Sequence, residues 1–583
     1  MKNTINLTGK PSIDKPWLHY YPEGASEVAL PQATAYQYLY ACNEGYDGIA
    51  LEYFDAKISY SALFKRIDAV ANSFTALGVQ KGEFVTICIP NTPEAISCFY
   101  GLNKIGAVAN MVSPSFSAED ILSTIHLTDC KVLIILDKFF AALKKSILTT
   151  KIERIIIVSS LLSLSPVVQM LSILKERPIT IPQDECYLSW KEFIKAGKKT
   201  FAKTAKYEPN MPAVIVHSSG SSTGTSKDVI MPNEAFIGLA IQIKAMNPFN
   251  LGKRSGLRSL VNIPLFISTG LNAVINLQLT HSSTLILIPE FTEETFIKGI
   301  MEYKPNYAFT TPSHYKSLLH SDIKDLSYLK YPFAGGEALP KALEESLNAF
   351  LAKCDSSAHM WKGWGMCELG SAVTQTTGDE QDRKGVGKPY SHTTVGVFDT
   401  ETDEEVGYNR RGEIRVISPT RMLRYYKNPE ATAQFFKIGL DGQSWGCTGD
   451  IGHIDEEGNL FVEGRINDFI LNAAGEKIWL FDIETVVFEH DSVQLCEAVG
   501  LSTDEGEVPV IHLVLKQGFT GSAENILKEI HERCIATLSP DAIPLGYKIR
   551  ESFDILPTGK RDTLSLKNER DLIWVTHLDS TYR

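Results

Sequence analysis

The sequence predicts an α/β fold: a large N-terminal region of parallel or mixed sheets flanked by helices, a β-rich stretch over about residues 395–464, and a smaller α+β region from Arg465 to the end. Three observations support this. Short charge-free runs at Val85–Ile89, Val132–Leu136, Ile155–Val158 and Thr284–Ile288 are each followed by a stretch of helical length. That is the pattern of strands covered on both faces by helices. From about residue 395 the chain changes to short strand-like pieces joined by acidic turns. Beyond Arg465 a strand-like Val510–Lys516 precedes a helical Ala523–Ile535.

Each element has a local reason. Ala69–Leu77 places apolar residues at helical spacing, Gly78 ends the helix, and Val85 resumes as strand. Residues 155–174 form an uncharged run of helical-span length, but they hold five Ser, a Gln and a central Pro. They read as a buried strand Ile155–Val158 and a helix starting near Pro166, not as a membrane span; a surface-lying membrane contact stays open. In GHIDEEGNLFVEG, Asp455–Gly458 marks the turn of a hairpin.

Composition sets outer limits. The 583 residues are 44% hydrophobic and 22% charged, with 41 Gly and 27 Pro, which excludes a disordered, collagen-like or coiled-coil chain. A net charge of −12 without basic runs argues against non-specific nucleic-acid binding, yet allows a local basic site for a nucleotide. Ten Cys without a CxxC pair are neither a disulfide framework nor a zinc ribbon. The N-terminus lacks the apolar core of a signal peptide. A cytoplasmic location is expected.

The most informative stretch is Val214–Asn233, VIVHSSGSSTGTSKDVIMPN. An apolar strand runs into seven Ser/Thr, two Gly and a Lys. Glycine lets backbone N–H groups turn inward around an anion, hydroxyls add donors, and Lys227 adds charge. Ser219, Gly220, Ser221, Ser222, Thr223, Gly224 and Lys227 are therefore candidates for holding nucleotide phosphates. The loop is not a Walker loop, because Thr225 and Ser226 separate Gly224 from Lys227.

This loop resembles the phosphate-binding signature of the AMP-forming acyl-adenylate synthetase superfamily, [ST]-S-G-[ST]-T-G-x-P-K-G. It departs by one extra residue between Gly220 and Gly224, by Ser226 for Pro, and by Asp228 for Gly. Other segments resemble the family's motifs in the family's order. FAGGEALP (Phe333–Pro340) is similar to the adenine-side backbone segment, implying roles for Gly335, Gly336 and Glu337. GWGMCE (Gly363–Glu368) resembles Y-G-x-T-E, which implies Trp364 and Gly365 beside the adenine and Glu368 as the Mg²⁺ carboxylate. WGCTGD ends on Asp450, implied to accept from the ribose hydroxyls, and the GRINDFI segment brings Arg465 to ribose or phosphate. LPTGK ends on Lys560, implied to drive adenylation. Ser59-Tyr60, Gly78–Val85, Asn91/Glu94 and Gly106–Val108 resemble N-terminal motifs that carry packing.

The resemblance implies a large domain over residues 1–464 and a small mobile one over 465–583 that carries Lys560 and hinges at Asn467. It implies an ATP- and Mg²⁺-dependent ligase in which Lys560, Lys227 and Glu368 serve catalysis, an acyl-AMP forms, and CoA takes the acyl group. PLFISTG (Pro264–Gly270) is similar to an acyl-pocket motif with Ile267 in place of His, which favours a medium- or long-chain fatty acid. Transfer to an acyl carrier protein, another use of the adenylate, and a nucleotide-binding pseudoenzyme remain as alternatives.

Overall fold

A computed structural model describes residues 8–574, apart from 148–149, 165–167, 171–180, 183, 218–226, 249–251, 253, 377–383, 440–441, 473–474, 504–505, 517–521 and 555–561. Two large sheets organise the first 425 residues. One has eight strands, in the order Arg424–Tyr425, Asp228–Pro232, Pro212–His217, Val108–Met111, Phe84–Cys88, Val132–Leu136, Arg154–Val158, Tyr187–Ser189. Its strands from Pro212–His217 onward are parallel, and the first two run antiparallel to their neighbours. The other has nine strands around a parallel centre formed by Thr284–Leu287, Arg258–Val261, Tyr307–Thr310, Tyr331–Ala334 and Trp361–Trp364. The charge-free runs of the sequence are the buried central strands, as expected of a parallel sheet shielded on both sides.

Helices Tyr60–Ala76 and Pro93–Ile105 pack on each other, and one continuous buried cluster takes side chains from both helices and both sheets. Their starts are set locally. The Ser59 hydroxyl accepts from the Ala62 N–H, the Thr92 hydroxyl accepts from the Ala95 N–H, and Pro93 occupies the first turn. Gly106 closes the second helix at φ 78°.

Asn91 ties the sheets together. Its side-chain N–H₂ lies 3.3, 3.0 and 3.1 Å from the carbonyls of Val261, Ile263 and Ile288, and its oxygen accepts from the Leu265 N–H at 2.8 Å. One buried amide from the eight-stranded side thus fixes the end of a central strand of the nine-stranded sheet and the start of the PLFISTG segment.

The β-rich stretch is an antiparallel sheet of Thr394–Phe398, Gly412–Ile417, Ser444–Ile454, Phe436–Ile438 and Leu460–Arg465. Its hairpin turns where the sequence places it, with Asp455 accepting from the N–H groups of Glu457 and Asn459. After Arg465 come a short hairpin (Phe469–Leu471 with Lys477–Trp479), a helix Leu480–Phe488, and a four-stranded sheet against helix Ala523–Thr537. These elements bury their own cluster, from Ile470 to Tyr547, separate from the large one. Arg411 reaches across to Asp482 with Nη2–Oδ1 at 2.8 Å. Among the described residues no helix is long and apolar enough to cross a membrane. Ile155–Val158 is strand, and the helix expected from Pro166 begins outside the described residues.

Asn91→Ala is expected to strand three carbonyls and an N–H in the core. The cost is about 3 kcal/mol, read as a clear drop in Tm with unchanged far-UV circular dichroism at low temperature.

Candidate active site

The strand Pro212–His217 and its antiparallel partner Asp228–Pro232 form a hairpin that brackets the Ser/Thr/Gly loop. Ser219, Gly220, Ser221, Ser222, Thr223 and Gly224 lie outside the described residues, as does Lys560. The foot of the loop is described. His217 and Asp228 are cross-strand partners, and His217 Nδ1 sits 2.6 Å from Asp228 Oδ1. Its Nε2 is 2.8 Å from Asn110 Oδ1. Both ring nitrogens therefore face side-chain oxygens, and the imidazole bridges Asp228 and Asn110 across the strands. The acidic side chain at position 228 is turned to the imidazole. Its carboxylate is engaged at the hairpin base.

Lys227 reaches the opposite way. Its Nζ lies 5.0 Å from the centre of the Tyr425 ring, within cation–π range. Tyr425 arrives through tertiary pairing alone: Arg424–Tyr425 adds as an edge strand to Asp228–Pro232, with Tyr425 opposite Val229. Its hydroxyl donates to Glu368 Oε1 at 2.7 Å. Burial first, and then the Glu368 charge, push the Tyr425 phenol well above its ordinary range, while the Arg465 charge acts in the opposite sense. The phenol is thus a fixed donor. Glu368 is buried on the short turn Cys367–Leu369, and its carbonyl accepts from the Met422 N–H at 2.7 Å.

A second group forms around Asp450. Strands Ser444–Ile454 and Leu460–Arg465 pair with Asp450 opposite Arg465. Arg465 Nη1 is 3.0 Å from Asp450 Oδ1 and also donates to the Thr448 carbonyl at 3.0 Å. Trp364 donates its indole N–H to the other oxygen, Oδ2, at 2.8 Å. Asp450 is thus held by both residues that the motifs place near the nucleoside. Trp364 precedes Glu368 by four residues, and Arg465 acts electrostatically on Tyr425. The two groups therefore adjoin.

Trp364 also lines an apolar cavity, together with Leu239, Ile243, Ala273, Leu277, Phe309, Phe333, Gly335, Gly336 and Gly365. Phe309 and Phe333 are paired across strands, and their rings stack with centroids 5.0 Å apart at 12°. A Cβ on Gly335 would stand 2.7 Å from Phe309 Cζ, so the protein's own ring already demands glycine there. Gly336 needs its glycine for another reason, a φ of 88°. Glu337, just beyond, is half-buried, with the Ser313 hydroxyl 3.4 Å away.

The AMP-binding enzyme family matches residues 40–426, most of the length that carries these features. The chain belongs to this family. It is an enzyme of the adenylate-forming, acyl-CoA ligase superfamily. It is 25% identical over 557 residues to a long-chain-fatty-acid–CoA ligase of Bacillus subtilis (strain 168), covering 94% of this chain and 96% of that protein. It is 26% identical over 499 residues to 4-coumarate–CoA ligase 1 of Petroselinum crispum, covering 82% and 84%. The fold matches ATP-bound MatB from Rhodopseudomonas palustris with a TM-score of 0.77 at 18% identity, over 94% of this chain and all of that one.

The sequence thus singled out Lys227, Gly335, Gly336, Trp364, Gly365, Glu368, Asp450 and Arg465, and these converge. It missed Tyr425 and His217. Tyr425 lies in RYYKNPE, whose only local signal is a turn before a Pro-started helix. His217 stood in plain view at the end of the strand, but only the cross-strand register makes it the partner of Asp228.

Asp228→Gly restores the residue usual in the signature and removes the partner of a buried imidazole. It is expected to cost roughly 2 kcal/mol, less than a fully buried pair would lose, because the Asp228 side chain is 22% exposed. Thermal denaturation checks this; a variant as stable as the parent would refute a stabilising role for the His217–Asp228 contact.

Proposed function

We propose that this enzyme activates an apolar carboxylic acid with ATP and transfers the acyl group to CoA, with a medium- or long-chain fatty acid as the first reading. The observation that carries it is the meeting of separate segments in two adjoining groups, Lys227 and Glu368 at Tyr425 and Trp364 and Arg465 at Asp450, with Trp364 also lining an apolar cavity. A carboxylate lacks a good leaving group. Attack on the ATP α-phosphate replaces oxide by AMP and expels pyrophosphate.

The chain's own residues position and neutralise, as in other phosphoryl chemistry. Ser219, Gly220, Ser221, Ser222, Thr223, Gly224 and Lys227 hold the departing phosphates. Asp450 and Arg465 hold the ribose, and the Gly335-Gly336 turn with Glu337, Trp364 and Gly365 flanks the base. Glu368 suits a hard cation: it is a carboxylate with one oxygen fixed by Tyr425, in a site where phosphate oxygens and water complete the shell. A Mg²⁺ ion there supplies positive charge against the triphosphate. Lys560 bridges the acid oxygen and the α-phosphate.

Residues 1–464 form the nucleotide- and acid-binding domain and 465–583 the hinged one. The separate buried cluster from Ile470 onward and the exposed position of Asn467 support that division. The apolar cavity walls, Ile267 in the PLFISTG segment and the likeness to a fatty-acid ligase support the fatty acid. A compact aryl acid is the second reading. The stacked Phe309 and Phe333, the rings of Tyr307 and Tyr390, and a cavity of about 60 Å³ favour it. An acyl carrier protein in place of CoA stands as the alternative acceptor, and a cytoplasmic setting suits these substrates.

A panel of fatty and aryl acids with ATP, Mg²⁺ and CoA, followed by mass spectrometry, is expected to yield AMP and an acyl-CoA. Pyrophosphate release without any thioester would point to another acceptor, and no pyrophosphate with any acid would refute the reading. Lys560→Ala is expected to slow acid-dependent pyrophosphate exchange by at least about 10²-fold. Asn467→Pro is expected to spare that exchange and slow thioester formation. Equal loss of both would remove the hinge from position 467.

A further inference from the structure

We infer that the acid carries a neutral oxygen function, a hydroxyl foremost, on the part that enters the cavity, and that Gln375 selects for it. This rests on the acid-activating reading above and deepens it. Gln375 lies on the strand Thr374–Gln375, which runs antiparallel to Trp361–Trp364 on one side and Lys388–Pro389 on the other. It lines the cavity and is 6% exposed. Its Oε1 accepts from the Tyr390 hydroxyl at 2.8 Å, whereas its buried Nε2 has no hydrogen-bond partner among the described residues.

A buried amide with an empty donor is a standing penalty. A purely apolar acid leaves that penalty in place. An oxygen on the acid removes it. Turning the amide over does not abolish the vacancy, because the Tyr390 hydroxyl satisfies only one end; a hydroxyl on the acid accepts from or donates to whichever end is open.

Thr374 already donates its hydroxyl to the Val386 carbonyl at 2.8 Å. Among the described residues no Asp, Glu, Lys, Arg or His lines the cavity. A second carboxylate or an amine there would be a buried charge without a counterion, which the site disfavours strongly. The selected feature is therefore polar and uncharged. Sites built to hydrogen-bond a substrate group reject analogues that lack it far more sharply than apolar pockets reject a missing methylene.

The test uses matched pairs of acids that differ by one oxygen: cinnamic against 4-hydroxycinnamic acid, and dodecanoic against 12-hydroxydodecanoic acid. Acid-dependent pyrophosphate release gives kcat/KM for the full-length enzyme and for Gln375→Leu. For at least one pair, the enzyme is expected to prefer the oxygenated member by at least tenfold. Gln375→Leu is expected to abolish or invert that preference while keeping activity on the plain acid. Its Tm is expected to change little, since removal of the unpaired N–H₂ is offset by loss of the acceptor for the Tyr390 hydroxyl. Activity on plain acids with no preference in either pair would overturn the assignment of Gln375 and leave the acid-activating reading intact. So would a preference that survives Gln375→Leu. Absence of pyrophosphate release with every acid would overturn the acid-activating reading itself, and this inference with it.

Discussion

Two residues of backbone pairing hold one half of the candidate site together. Arg424–Tyr425 adds to the edge of Asp228–Pro232, and through that contact Tyr425 meets both Lys227 and Glu368. Without it, the return strand of the phosphate hairpin would be an open edge, and Glu368 would sit on a turn with its carboxylate unanchored. The neighbouring backbone repeats the tie: Leu423 N–H donates to the Ile230 carbonyl and Tyr426 N–H to that of Asp228, at 2.8 and 2.7 Å. A three-rung junction thus sets the distance between a cation, a phenol and a carboxylate that lie far apart in sequence.

The nucleoside end follows a different design. Asp450 is gripped from two sides, by Trp364 and by Arg465. A carboxylate offers about four lone-pair positions, so two donors leave room for further ones. The grip determines which lone pairs stay open and keeps the carboxylate from rotating away. It also joins two sheets: Trp364 ends a strand of the nine-stranded sheet, while Asp450 and Arg465 belong to the antiparallel one. Adenosine bound here would rest on a junction between layers, where a small shift of one sheet is felt directly by the ligand.

Much of the fold was legible because parallel strands advertise themselves as charge-free runs. Val85–Ile89 and Val132–Leu136 needed no tertiary knowledge. The acidic hairpin at Asp455 was equally plain, since the turn chemistry is local. The candidate site was legible only where a motif kept its residues contiguous, as in GWGMCE or WGCTGD. Tyr425 escaped because its function comes from which strand it pairs with. Asp228 was visible but misleading: beside Lys227 in sequence it suggests a weakened anion site, whereas strand alternation turns it to the other face. Neighbours in sequence lie on opposite faces of a strand, and the relevant neighbour of Asp228 is His217 on the adjacent strand.

That exchange bears on how far the loop can depart from its usual form. A glycine at position 228 needs no partner, whereas an aspartate at the base of an anion site does. His217 supplies one and is itself stabilised by Asn110, which in turn donates to Thr86 at 3.0 Å. Three strands of the eight-stranded sheet thereby anchor the foot of the phosphate loop from below, leaving the Lys227 ammonium as the cation beside Tyr425 on the ligand side. A substitution that looks like decay when read along the chain is, across the sheet, one member of a compensated set. The same logic applies in the cavity, where Gln375 lacks such compensation from the protein and its open hydrogen-bond position is left for the acid.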